Sequence, residues 1–194
     1  MKLRLPVLAL ALATMTLGAS AQIGLYLNPI VTRVSNSQPD TGPFAFLGQN
    51  QTSQIFGGIV IGGYYEAYHA PKFDLSIDLR DAIEHGNDAS MNNFLFGGRI
   101  SAKPMKYAMK PYAQISFGEG RTKSPLNPIS ATKFTYDIYG GVDRPLNKHV
   151  DWRVIEIGYG SLTTISSGLY DGQSSTFPAA KLINFSTGLV FRIP

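Results

Sequence analysis

Between residues 73 and 80 apolar and polar side chains alternate without a break. Phe73, Leu75, Ile77 and Leu79 fall on one side, and Asp74, Ser76, Asp78 and Arg80 on the other. Successive side chains of a strand point to opposite faces, so this period of two predicts one apolar and one charged face. Near the end of the chain Ile183, Phe185, Leu189 and Phe191, with Thr187, oppose Asn184, Ser186, Gly188 and Arg192, and Val190 breaks the rule. Phe94, Phe96 and Ile100 oppose Asn93, Gly97, Arg99 and Ser101, with Leu95 as the exception. Phe134, Tyr136, Ile138 and Val142 oppose Thr135, Asp137, Tyr139, Gly141 and Asp143, and Ala113, Ile115 and Phe117 oppose Gln114, Ser116 and Gly118.

Three further segments are less regular. Pro29 interrupts the first and suits a strand end or a bulge. The second is rich in Gly and Tyr, and strict alternation would put Glu66 on one face with Tyr64 and Tyr68. In the third, Asp151 and Arg153 share a face that Glu156 would leave, and a bulge near Val154 would restore Glu156 to it. Eight strands are thus predicted, over 23–35, 55–69, 72–81, 92–103, 110–119, 133–144, 150–163 and 182–192. Their lengths are near the roughly 9 to 11 residues of a tilted membrane strand. The connections 35–54, 82–91, 120–133 and 164–181 read as long, and 69–72, 104–109 and 145–149 as short. Alternation of long and short loops is the asymmetry of outer-membrane barrels, with tight turns in the periplasm.

The fold class expected is therefore all-β, an eight-stranded antiparallel transmembrane β-barrel. Its polar face mixes Asp74, Asp78, Asp137 and Asp143 with Arg80, Arg99, Arg153 and Arg192, which can pair across a narrow lumen. The same face carries small residues, among them Ser76, Gly97, Ser101, Ser116, Gly118, Gly141, Ser186 and Gly188, that leave room for larger ones. Lipid leaves no unpaired backbone, so the sheet must close. Tyr26, Tyr68, Tyr107, Tyr112, Trp152 and Tyr170 lie near strand ends, as interface girdles would. The contrary arrangement is a soluble periplasmic barrel binding a small apolar ligand. It requires a cavity lined by Phe73, Leu75, Phe94 and Phe185, with Asp74 and Asp78 outside.

Ahead of the strands, Lys2 and Arg4, an apolar run over 5–18 and Ala19-Ser20-Ala21 compose an export signal, too short to span a bilayer. Residues 1–21 are expected to be a signal peptide and 22–194 the barrel domain. The formal charge of +4 counts Lys2 and Arg4; without them 15 basic residues face 13 acidic ones, a net +2. That near balance gives no reason to expect a nucleic-acid partner. The chain has no Cys, which excludes thiolate metal sites and thiol catalysis.

Chemistry has few candidates. His69 and His149 lie at short turns. His85, beside Glu84 and near Asp88 and Ser90, falls in the second outer connection. A lipid-modifying enzyme would need a histidine, a serine and an acid to converge there, but neighbours such as Glu84 and His85 diverge on a strand. Gly57-Gly58 and Gly62-Gly63 lie in a strand and form no phosphate loop. The loops over 41–54 and 161–180 are polar, contain no basic patch and offer the natural contact surface.

Four stretches carry a resemblance: Ala19-Ser20-Ala21-Gln22, Tyr139 through Lys148 (YGGVDRPLNK), Asp151 through Glu156 (DWRVIE) and Asn184 through Arg192 (NFSTGLVFR). Together with the strand pattern they resemble the OmpA-type eight-stranded outer-membrane β-barrel superfamily, in barrel-only form. The resemblance implies that Asp143 ends a strand at a periplasmic turn and that Arg153 points into a polar lumen. It implies delivery by the barrel-assembly machinery, which usually reads a terminal aromatic. This chain ends Phe191-Arg192-Ile193-Pro194, so Phe191 would have to serve. No cell-wall-binding domain follows the eighth strand, and no such role is expected. The expected protein is a monomer in contact with outer-membrane lipids, without cofactor or catalytic activity. Its role would be structural or recognitional, with an extracellular ligand held through the long loops.

Overall fold

The computed structural model describes residues 22–42, 45–126, 130–164 and 179–193. The export segment 1–21 and most of the fourth outer connection, including Tyr170, lie outside the described residues. Eight strands follow in order: β1 (Ile23–Asp40), β2 (Gln51–His69), β3 (Phe73–Gly86), β4 (Ala89–Ala102), β5 (Lys110–Lys123), β6 (Ser130–Pro145), β7 (Val150–Leu162) and β8 (Ala180–Ile193). Each pairs antiparallel with its neighbours, and β1 closes on β8. Leu27, for example, lies between Ile61 of β2 and Leu189 of β8. Closure leaves no edge, so ladder hydrogen bonds supply cohesion that needs no apolar core.

The two faces divide as the alternation predicts. Leu75 is 40 % exposed while Asp74 is 9 % exposed. Ile59, Ile77, Phe96, Ile115, Ile138, Ile157 and Phe185 also point outward and are exposed. A band of this composition around the whole barrel is stable against lipid and not against water. Phe73, Leu75, Phe94 and Phe185 line no interior cavity, and Asp78 is fully buried. The arrangement required by a soluble apolar-ligand barrel is absent among the described residues. Leu95 and Val190, the exceptions to alternation, are buried in the lumen.

Four expectations are corrected. All strands but β7 outrun their predicted limits at the outer end, because polar residues there continue the ladder beyond the apolar band. The second outer connection is no loop: β3 and β4 meet in a two-residue turn, Asn87-Asp88, whose φ values of 48° and 63° are those of a type I′ hairpin. The lower connection between β4 and β5, 103–109, keeps nearly its expected limits and contains a 3₁₀ turn, but it is longer than the two-residue outer turn between β3 and β4, so long and short loops do not strictly alternate. Finally, Tyr26 and Tyr112 are not girdle residues; they are 2 % and 6 % exposed and lie in the lumen. Tyr68, Tyr107 and Trp152 are exposed toward the lower end, as a girdle requires.

Two irregularities in the ladder reset side-chain direction. Between Arg153 and Glu156 the pairing of β7 with β8 shifts register, and Glu156 turns inward, 2 % exposed. The predicted bulge is there. A second shift between Glu66 and Tyr68 in β2 keeps Glu66 inward with Tyr64 and sends Tyr68 outward. Strict alternation would have kept all three together.

Glycines make room for the luminal rings. A Cβ on Gly141 would lie 2.5 Å from Tyr112 Cζ, and one on Gly62 would strike the Tyr26 hydroxyl. Both rings rest where the barrel wall has no side chain.

Candidate functional site

The lumen is the chemically dense part of the molecule, and it is filled in layers. In its lower half three arginines from β3, β4 and β7 face carboxylates from β3, β6 and β7. Arg80 donates from Nη1 and Nη2 to Glu156 Oε1 and Oε2 at 3.2 and 3.1 Å, and from Nε to Asp78 Oδ1 at 3.2 Å. Arg153 Nη1 reaches Glu156 Oε2 at 3.4 Å and its Nε reaches Asp143 Oδ1 at 3.1 Å. Arg99 Nη2 donates to Asp143 Oδ2 at 2.6 Å. Tyr112 Oη and Ser186 Oγ also donate to Glu156, at 2.7 and 3.0 Å. Glu156 is therefore the hub of the network, and the bulge in β7 is what delivers it.

Tyrosines complete the layer. The Arg80 guanidinium lies 3.9 Å from the Tyr139 ring, and Arg99 lies 3.7 Å from Tyr112 and 4.5 Å from Tyr64. Such contacts attract a desolvated cation through the ring quadrupole. Tyr26 Oη and Gln114 Nε2 donate to Asp78 at 2.9 and 2.7 Å. Arginine stays protonated at any accessible pH, and these carboxylates are committed to it. The layer is suited to holding eight strands in register and to barring ions, and poorly suited to moving protons in catalysis.

Above it, Ile30, Val60 and Ala82 form a small apolar layer, and the cluster continues downward through Tyr26, Tyr64 and Val190. Higher still, Thr32 Oγ1 donates to Asn184 Oδ1 at 2.9 Å, and Asn184 Nδ2 donates to Asp137 Oδ1 at 2.9 Å. The outer mouth is closed by the chain itself. Residues 45–47 of the first outer loop fold inward, and Phe46 stacks on Phe56 with ring centroids 5.0 Å apart. They pack with Val34, Met91, Leu162 and Leu182. The Asp40 carboxylate holds the plug, accepting from the Phe46 and Leu47 amides at 2.7 and 2.9 Å. That part of the loop expected to be a contact surface is thus a stopper, because its apolar residues are better buried than wet.

The other sequence candidates separate. Glu84 points into the lumen, 1 % exposed, whereas His85 faces outward opposite Ser90 of β4. A hydrolytic triad of Glu84, His85 and Ser90 does not assemble. His149 lies at the turn between β6 and β7, away from that set.

At the lower end a vestibule of about 370 Å³ opens below the arginine layer, lined in part by Tyr64, Glu66, His69, Asp74, Arg99 and Lys103. His69 Nδ1 lies 2.8 Å from Asp74 Oδ1 and 3.7 Å from Glu66 Oε2, and Lys103 is ion-paired to Asp74. This grouping was not foreseen from the sequence. Its only trace there is the broken alternation over Tyr64-Tyr65-Glu66-Ala67-Tyr68-His69.

The outer rim shows a second grouping that loops alone could not reveal. Arg33 of β1 and Lys181 of β8 are diagonal neighbours on the outward face, paired with Ile183 and Ser35 respectively. Arg121 and Lys123 share the outward face of β5, and Glu119 lies one outward position below Arg121. The loops lack a basic patch, but the strand ends supply two.

No family model matches the sequence, and no curated protein matches it. Solved structures do. The attachment invasion locus protein Ail of Yersinia pestis superposes with a TM-score of 0.51 over 89 % of this chain and 97 % of its own, at 10 % identity. Neisserial surface protein A gives a TM-score of 0.51 over 90 % and 98 %, at 16 % identity. At such identities the likeness is one of fold. The fold is the eight-stranded outer-membrane barrel, as the resemblance of the sequence implied.

Proposed function

We propose that this chain resides in a bacterial outer membrane and acts there as a structural or surface-recognition barrel without catalytic activity. Export by residues 1–21, with cleavage after Ala21, belongs to this reading, as do the periplasmic placement of the turns at 70–72 and 146–149 and assembly through Phe191. The observation that carries it is the occupied lumen. The Arg80, Arg99 and Arg153 layer and the Phe46 and Leu47 stopper occupy the lumen with buried side chains at two levels, which favours leaving chemistry with the outside to the rims. In planar bilayers the reconstituted protein should show no stable large openings. A steady conductance of porin size would contradict the filled lumen.

The recognitional half of the proposal has its own support. The outward pairs Arg33 with Lys181 and Arg121 with Lys123 stand at the outer edge of the apolar band, at the end away from the termini, with Arg33 between Ile55 and Ile183. They favour an anionic partner at the cell surface. Ail has been solved in complex with the heparin analogue sucrose octasulfate; the cation pairs of this chain make a sulfated polyanion the first partner to try. Heparin binding by the reconstituted protein should weaken as salt rises. It should fall by about ten-fold or more in the variant Arg33→Gln/Lys181→Gln/Arg121→Gln/Lys123→Gln. Binding unaffected by the four substitutions would remove this part of the reading.

A further inference from the structure

We propose that Glu66, His69 and Asp74 form a binding site for a divalent transition metal of the zinc class at the periplasmic mouth. The site depends on the bulge in β2. In a regular strand residues three apart face opposite sides. The register shift between Glu66 and Tyr68 supplies one extra residue, so Glu66 and His69 both face the vestibule while Tyr68 faces out. The turn then returns the chain tightly, with the Ala70 amide donating to the Phe73 carbonyl at 2.8 Å, and places Asp74 directly opposite His69. One donor atom from each of the three residues lies within 4.8 Å of the others.

The donor set and spacing fit the ion. Zn²⁺ takes imidazole nitrogen and carboxylate oxygen at about 2.0–2.2 Å, which sets donors about 3.3 Å apart in a tetrahedron. The separations from His69 Nδ1, 2.8 and 3.7 Å, bracket that value. Three protein ligands leave a fourth position, and the adjoining vestibule can fill it with water. The electrostatics agree. The Glu66 and Asp74 carboxylates lie within 4.8 Å of each other, and a cation between them relieves their repulsion, in competition with Arg99 and Lys110 in the same vestibule. Lys103 now meets part of the need through its ion pair with Asp74. Its side chain is 39 % exposed, so its ammonium can move into water and give way to a metal ion. Lys103 is thus a competitor and not a ligand, which gives the proposal a distinctive signature.

The test is titration of the full-length folded barrel in detergent micelles with Zn²⁺ against a chromophoric chelator. His85→Asn and His149→Asn are present throughout to remove other imidazoles. The parent should bind one equivalent. His69→Ala and Glu66→Gln, each confirmed as folded by heat-modifiable migration, should each weaken binding by about ten-fold or more. Lys103→Gln should tighten it, and excess Mg²⁺, which releases its waters reluctantly, should not compete. Four results would each overturn the site: no saturable binding up to about 0.1 mM, full retention in His69→Ala or Glu66→Gln, weaker binding in Lys103→Gln, or displacement by Mg²⁺ as at a generic acidic patch.

Discussion

Replacing Arg80 by methionine should destabilise the barrel by about 3–5 kcal/mol, the usual cost of leaving a buried charge without its partner. Arg80 is 1 % exposed and binds Glu156 through two nitrogens, Asp78 through a third contact and Gln114 through a fourth. Without it, Asp78 keeps only neutral donors among its described hydrogen bonds, Tyr26 and Gln114. Glu156 retains Arg153, at the longer distance of 3.4 Å. Methionine fills much of the volume and supplies no charge, so the loss is electrostatic rather than a cavity. Adding Glu156→Gln should return part of the stability. Because Arg80 and Glu156 are in direct contact, the double variant should depart from additivity by roughly 0.5–3 kcal/mol. Urea unfolding in lipid, followed by the fluorescence of Trp152, the single tryptophan, measures both quantities. A loss well under 1 kcal/mol for Arg80→Met would mean that the network does not hold the lumen together.

The second large effect is expected on the opposite face. Ile77 is 47 % exposed, lies midway along the apolar run of β3, and pairs with Tyr65 of β2 and Gly98 of β4. Ile77→Arg should cost about 2–4 kcal/mol in a bilayer, since a guanidinium near the midplane must be desolvated or must drag water and headgroups inward. The same change at Ile193, exposed at the lower end of β8, should cost roughly 0–1 kcal/mol, because there the side chain reaches the interface. The depth dependence is the informative part. Similar small costs at both positions would show that the apolar band does not meet hydrocarbon. The comparison belongs in lipid vesicles, where depth is defined.

These two experiments probe the inside and the outside of one wall, and the wall's two-sidedness was legible in the chain. Period-two alternation is a local property: it follows from strand geometry and needs no knowledge of what lies across the sheet. It therefore sorted Leu75 from Asp74 and Phe96 from Arg99. The shift of Glu156 to the polar side could also be read, because Asp151 and Arg153 on one parity and Glu156 on the other demanded an extra residue between them. Signals of turn chemistry were read less well. Gly86-Asn87-Asp88 looked like part of a loop, although two residues able to adopt positive φ suffice to close a hairpin. The polar outer ends of the strands looked like loop for a related reason. Beyond the membrane both faces meet water, so composition no longer alternates while the ladder continues.

What the sequence by itself determined is the strand set, its two faces and the antiparallel order, because each depends on neighbours a few residues apart. Only the tertiary structure decided which charges meet. Arg80 and Glu156 are 76 positions apart, and Arg99 and Asp143 are 44 apart. Their meeting depends on the stagger at which β8 closes on β1, a single geometric quantity set by all eight pairings together. The same closure sized the outer mouth so that Phe46 and Leu47 stop it, whereas Glu66, His69 and Asp74 are brought together locally, by the bulge and turn of the β2–β3 hairpin. Period fixes the direction of a side chain; register, which is collective, fixes its partner.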